Sequence, residues 1–244
     1  MKRAKNIKDI EMKLKEGTIL CCSDIHIPFH DIAAVNLFIK ECKTKQPAVI
    51  VLNGDVLDMF KLSRFTKGEG RNPYEEIEEC RNLLKRIREA APKARIIYVI
   101  GNHETRLERY VLEKAPELAS LIEDIFTILK VDEFGVEGCG KLIVNNDFKF
   151  YHGRLIGTKS GLSAIKELER SYMSGASGHV HRLAKFITRK AGRKFVWLET
   201  GCLCDMNPEY CIEPDWQQGF AQVDFKNSRV HNAKVIEIEN GEIL

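Results

Sequence analysis

Residues 48–55 read AVIVLNGD. Five apolar residues run without a break, three of them β-branched, and then the chain turns polar at Asn53, Gly54 and Asp55. A run this short and this continuous predicts a strand covered on both faces, as in a parallel sheet, rather than a half-exposed strand that alternates. Two more stretches have the same build: TILCCSD (18–24) before it and RIIYVIGNH (95–103) after it. Between the first two, Asp31 can cap a helix whose apolar positions Val35, Phe38, Ile39 and Cys42 follow helical spacing. Between the second and third, Asn72-Pro73 offers an N-cap and a proline at the first helical position, with Glu75 and Glu76 in the first turn. That helix carries Ile77, Cys80, Leu84 and Ile87 along one face. Strand, helix, strand, helix, strand at these lengths predicts a parallel sheet with right-handed crossovers.

The second half of the chain changes character. A helical stretch is expected from about 104 to 129, and KLIVNNDFKFYHG (141–153) reads as a hairpin turning at Asn145-Asn146-Asp147. A helix over about 163–173 follows, then a hairpin in ITRKAGRKFVWLET centred on Ala191-Gly192, and two alternating strands in GFAQVDF and AKVIEIE. No internal repeat or linker interrupts this. The expectation is two packed sheets with helices outside, in one domain over residues 1–244.

Composition narrows the class. The chain has 244 residues, 44% hydrophobic and 30% charged, which is ordinary for a globular protein. No apolar run approaches the ~18 residues of a membrane helix, and the N-terminus has basic residues without an apolar signal core. The expected location is the cytoplasm, with no membrane partner. In that reducing setting the 8 cysteines are expected to be buried small hydrophobes. Cys202, Cys204 and Cys211, with Cys139 as a distant fourth, lack the paired spacing of a structural zinc site. A net charge of +3 is too small to diagnose nucleic-acid binding, but cations cluster in KLSRFTKGEGR (61–71) and ITRKAGRK (187–194). Solvated loops explain both, the second as a hairpin turn.

Chemistry in α/β proteins gathers at the ends of buried strands, and each run here ends in metal-ligand residue types. They are Ser23-Asp24-Ile25-His26, then Asn53-Gly54-Asp55 and Asp58, then Gly101-Asn102-His103-Glu104, then Tyr151-His152-Gly153, then Gly178-His179-Val180-His181. Singly, Asp24 could be a cap, Asn102 a turn former and His152 a core histidine. On a strand, His179 and His181 would point to the same side and could share one centre. Five strand ends in order, each with Asp, Asn or His beside a small residue, exceed what capping explains.

D-x-H, GD, GNH, a lone His and GHxH resemble the ordered motifs of the calcineurin-like metallophosphoesterases, over residues 24 to 181. The overall look is similar to small bacterial or bacteriophage members. The resemblance implies a four-layer αββα sandwich of two mixed β-sheets flanked by helices, with two metal ions between the sheets. It implies Asp24, His26 and His181 on one metal, Asn102, His152 and His179 on the other, and Asp55 bridging. It implies that His103 assists the leaving group and that Asp58 orients it and keeps it cationic. Mixed N and O ligands suit Mn first, then Fe, Zn or Ni, two ions in all. Two such ions neutralise a phosphate ester and align an in-line attack.

One departure bears on substrate. The protein Ser/Thr phosphatase branch has arginines that grip a monoester where this chain has Met59 and Ile100. The expected activity is therefore a phosphodiesterase or nuclease-like hydrolase acting on a phosphate ester such as nucleic acid or a nucleotide. Lys61, Arg64 and Arg106 are candidate substrate contacts, and Tyr74 a stacking surface. A phosphomonoesterase and an inactive scaffold are the alternatives.

Overall fold

A computed structural model describes residues 7–63, 72–207 and 214–244. Arg64 and Cys211, and with them most of the 61–71 basic stretch, lie outside the described residues. In chain order the elements are β1 (Ile10–Met12), β2 (Gly17–Cys22), α1 (Ile32–Lys45), β3 (Val49–Leu52), α2 (Pro73–Ala90), β4 (Arg95–Val99), α3 (Arg106–Lys114) and α4 (Ile125–Leu129). There follow β5 (Val136–Cys139), β6 (Leu142–Val144), β7 (Phe148–Phe150), α5 (Leu162–Ser171), β8 (Ser174–Ser177), β9 (Leu183–Lys190), β10 (Arg193–Thr200), β11 (Gly219–Lys226), β12 (Arg229–Glu239) and β13 (Glu242–Ile243).

The strands form two mixed sheets. One has the order β13-β12-β11-β2-β3-β4-β5, and the other β1-β6-β7-β8-β10-β9. Strands β2, β3 and β4 are parallel in register, as the apolar runs predict, and β5, which no apolar run signals, adds parallel to β4. Side chains alternate between faces along a strand, and these strands use both. Leu20, Cys22, Ile50, Leu52, Ile96 and Tyr98 pack with Val35 and Phe38 of α1 and with Cys80, Leu84 and Ile87 of α2. Their neighbours Ile19, Cys21, Val49, Val51, Ile97 and Val99 pack instead against Phe148, Phe150 and Leu198 of the second sheet. Trp197 turns away from that seam to meet Ala164 and Leu168 of α5. Helices, sheet, sheet and helix therefore stack in four layers.

The caps behave as their chemistry dictates. The Asp31 carboxylate accepts from the Ala34 amide, and the Asn72 side chain accepts from the Tyr74 amide ahead of Pro73. The expected helix over 104–129 is broken. Its α3 stops before Pro116, a single 3₁₀ turn follows, and α4 begins only after Asp124 caps it. Proline lacks a backbone donor and pushes the residue before it out of the helical region. Ala115 accordingly sits at φ −152°.

Candidate metal centre

The chain does not relax where β2, β3, β4 and β8 end and the loops carrying Asp24, Asp55, Asn102 and His179 begin. Backbone pairing continues past the strand ends: Asp24 N–H donates to Gly54 O at 3.0 Å and His26 N–H to Asp55 O at 3.0 Å. Asp24, His26, Asp55, His179 and His181 all hold positive φ between 52° and 72°. Non-glycine residues there carry strain that the surroundings must offset, and such residues concentrate at functional sites.

This corrects the reading of SGHVHR. His179 and His181 are not on a strand but in the loop after β8, and the left-handed backbone at each sends the two rings to different partners. His181 Nε2 lies 3.2 Å from Asp24 Oδ1 and 3.1 Å from His26 Nε2. His179 instead packs edge-on to His152, with ring centroids 5.2 Å apart. Ligand atoms of Asp24, His26 and His181 lie within 4.8 Å of one another, as do those of Asp55, His152 and His179. Asp55 also groups with His26 and His103, which places it between the two clusters. Asn102 joins the second: its Oδ1 is 3.2 Å from His152 Nε2.

The partners on the far side of each ring decide what the near side can do. His26 Nδ1 meets Asp58 Oδ2 at 3.0 Å, and His152 Nδ1 meets the carbonyl of Asn53 at 2.9 Å. An Nδ1–H donated to these acceptors leaves Nε2 with its lone pair aimed inward, which is how ligating histidines are held. Two inward nitrogens 3.1 Å apart with a carboxylate beside them are spaced as ligands of one ion are. The donor set fits a transition metal in each cluster.

Burial opposes every charge here, yet the groups stabilise one another. Asp24 is fully buried, but His181 and His152 draw its carboxyl well below the usual range. Burial likewise opposes a charge on Asp55, and His152 and His103 overcome it. In the metal-free protein burial disfavours a proton on His152, but Asp55 and Asp24 push it up to about 9. His181 also reaches about 9, against burial, because of Asp24. The sign follows from an unfolded value near 6.5. The raised pKa values stabilise the metal-free fold fully below pH 6.5, and that stability is lost as pH rises through 9. A loaded ion must displace those protons. We therefore expect the Tm of the metal-free protein to fall from pH 6.5 to 9 while metal affinity rises across the same interval, read by calorimetric titration in buffers of different ionisation heat.

Asp58 is shared more widely than the sequence suggests. Its carboxylate meets His26 at 3.0 Å, His103 Nδ1 at 3.3 Å and Arg106 at 2.8 Å. Arg106 also donates to His103 Nε2 at 2.9 Å. A ring that accepts there is neutral, and burial pushes His103 below the ordinary histidine range despite Asp55 and Asp58. Asp58 touches His103 as expected and favours a proton on it, while Arg106 brings a fixed positive charge beside the ring. Arg106 thus faces inward, and Lys61 lies in the short turn after Met59. Tyr74, at the start of α2, is 64% exposed.

Sequence reasoning missed several residues. The buried Glu104 carboxylate accepts from the amides of Gly101, Asp55 and Val56 at 2.7, 2.9 and 2.8 Å, and from Tyr98 Oη at 2.8 Å. It straps the β3 and β4 loops together. Trp216 packs edge-on to His181 at 4.2 Å, and Phe29, partly exposed, packs on Phe60. No spacing links these to the motifs; only the fold brings them to the rim. Cys204 Sγ lies 3.9 Å from His181 Nδ1, and Cys202 groups with both. Cys139, weighed as their fourth ligand, is on β5, separated from β11 by three strands.

Gly178 shows how tight the seam is. A Cβ there would lie 2.3 Å from Asp24 Oδ2 and 2.4 Å from Ser23 Oγ. Gly178→Ala is expected to cost about 1–3 kcal/mol of stability, as overpacking does, and to weaken metal binding at the Asp24 cluster. Denaturant melts and metal titration on the variant check both.

Comparisons with known proteins agree with this geometry. The sequence model of the calcineurin-like phosphoesterase family matches residues 17–210. The Gene 54 protein of Mycobacterium phage L5 is 28% identical over 222 residues, 83% of this chain and 87% of that protein. Its counterpart in Mycobacterium phage D29 is 28% identical over 232 residues, covering 87% and 90%. In fold, the chain is similar to Vps29 of Cryptosporidium parvum, with a TM-score of 0.52 at 17% identity over 94% of this chain and 95% of that one. A single mutant of Vps29 from Entamoeba histolytica gives 0.52 at 12% identity, covering 93% and 96%. No helix among the described residues is long and apolar enough to cross a membrane. With the motifs matched over most of its length, this chain belongs to the calcineurin-like phosphoesterase family.

Proposed function

We propose that the chain hydrolyses phosphate esters using two divalent transition ions, Mn foremost, and that it prefers diesters. The observation that carries this is the pair of clusters in which the inward Nε2 atoms of His26 and His152 are set by hydrogen bonds at Nδ1. Asp24, His26 and His181 would hold one ion and Asn102, His152 and His179 the other, with Asp55 between them. Such ions, when bound, neutralise the phosphate and supply a nucleophile at neutral pH. Asp58 fixes His26 and His103 together. Phosphate oxygens entering the centre compete for the Arg106 guanidinium, which frees His103 Nε2 to take a proton from solvent and give it to the leaving oxygen as the P–O bond breaks.

Diester preference rests on what stands where a monoester would be gripped. Met59 is buried and Ile100 packs into the core, so neither position offers a cation. Phe29, Phe60 and Trp216 offer aromatic faces that suit a nucleotide base. We expect kcat/KM for bis(p-nitrophenyl) phosphate to exceed that for p-nitrophenyl phosphate by about tenfold or more under saturating Mn²⁺, a difference of about 1.4 kcal/mol in transition-state binding. A preference for the monoester would make the protein a phosphatase. Metal binding with no turnover of either would make it a scaffold.

A further inference from the structure

The pole opposite the strand ends carries a second feature. There the seam between the sheets opens into a groove of about 950 Å³. Lys185, Arg189, Arg193 and Lys194 of the β9–β10 hairpin line it on one side, and Arg229 and His231 of β12 on the other. Its one carboxylate is Asp147, which pairs with Arg193. Among the described residues no ion pair involves Lys185, Arg189, Lys194 or Arg229.

The register makes this arrangement self-repulsive. Arg189 stands directly opposite Lys194, and Lys190 opposite Arg193. Like charges in such cross-strand pairs destabilise a hairpin. Lys185, Arg189 and Lys194 also share the face on which Val196 and Leu198 join the inter-sheet core. They project from the seam itself, towards the cations of β12. Cations on both walls of a groove sum to a positive potential that attracts an anion between them.

We propose that this groove binds the phosphate backbone of a nucleic acid. Four cations beyond the Arg193–Asp147 pair are enough for several phosphates, more than one small anion presents. The lining contains no Phe, Tyr or Trp, so bases find no stacking surface and recognition is by backbone charge rather than sequence. Strand β10 runs from the groove at Arg193 to Thr200 beside the metal centre, about 23 Å at strand rise. A bound polymer would thus be held near the centre without occupying it.

The test is fluorescence anisotropy of a labelled 20-base-pair duplex and of its single strand with the full chain, read without turnover. Failure of the hydrolase reading would therefore leave this result standing, and the reverse. Expected are binding to duplexes of unrelated sequence, with a slope of log K against log salt of about −3 to −4 for four phosphates. Arg189→Glu with Lys194→Glu should weaken binding at least about tenfold and reduce the slope by about two. Thermal melting checks that this variant folds. If it does not, Lys185→Ala and Arg229→Ala, each expected to lower the slope by about one, replace it. Binding unaffected by these changes would overturn the proposal. So would a groove that takes inorganic pyrophosphate but no nucleic acid.

Discussion

Asp55→Asn is expected to lower turnover of any phosphate ester by about 10³-fold or more, over about 4 kcal/mol of transition-state stabilisation. The substitution conserves shape and removes one negative charge. That charge sits 3.0 Å from His152 Nε2 and 3.7 Å from His103 Nε2, and its other oxygen accepts the His103 amide at 2.8 Å. Because Asp55 groups with both clusters, neutralising it should weaken both ions together, not one. Buried cations left without their counter-charge are costly. Elemental analysis should therefore show metal content falling at both sites in parallel with kcat. A variant with full metal content and near wild-type turnover would remove Asp55 from its position between the ions.

His103→Ala is expected to separate chemistry from metal binding. His103 touches Asp58, Arg106 and the Asp55 carboxylate, and its Nε2 already accepts from Arg106. Its loss should leave metal content near wild type and reduce turnover by the about 10²–10⁴-fold typical of an acid–base group. Leaving groups of low pKa need less proton assistance, so the deficit should shrink across a series of aryl diesters of rising leaving-group acidity. A uniform deficit across that series, or a variant stripped of metal, would assign His103 to the metal shell.

The α/β core was legible because its signals are redundant. Continuous apolar runs, Asp31 and the Asn72-Pro73 cap point the same way, and β2, β3, β4, α1 and α2 form where those signals stand. The site was legible for a related reason: each run stops at a residue with chemistry, and the polypeptide delivers those ends to one edge. Strand β8 is different. SGAS has no apolar pattern, and it is a strand because β7 and β10 flank it; a Cβ on Gly175 would strike the Trp197 ring at 2.7 Å. The left-handed backbone that parts His179 from His181 is equally invisible in a spacing rule. So is Glu104, which reads as the end of a motif and acts as a strap across two loops. The break at Pro116 was visible, but helical periodicity on either side obscured it.

The most direct test of the metal centre is the stoichiometry of ions in the purified protein after loading with Mn²⁺ and removal of excess. The geometry of the Asp24 and Asp55 clusters predicts two ions per chain, and diester hydrolysis that is lost to chelator and restored by Mn²⁺. Protein that holds no divalent ion, with hydrolysis indifferent to chelation, would contradict it.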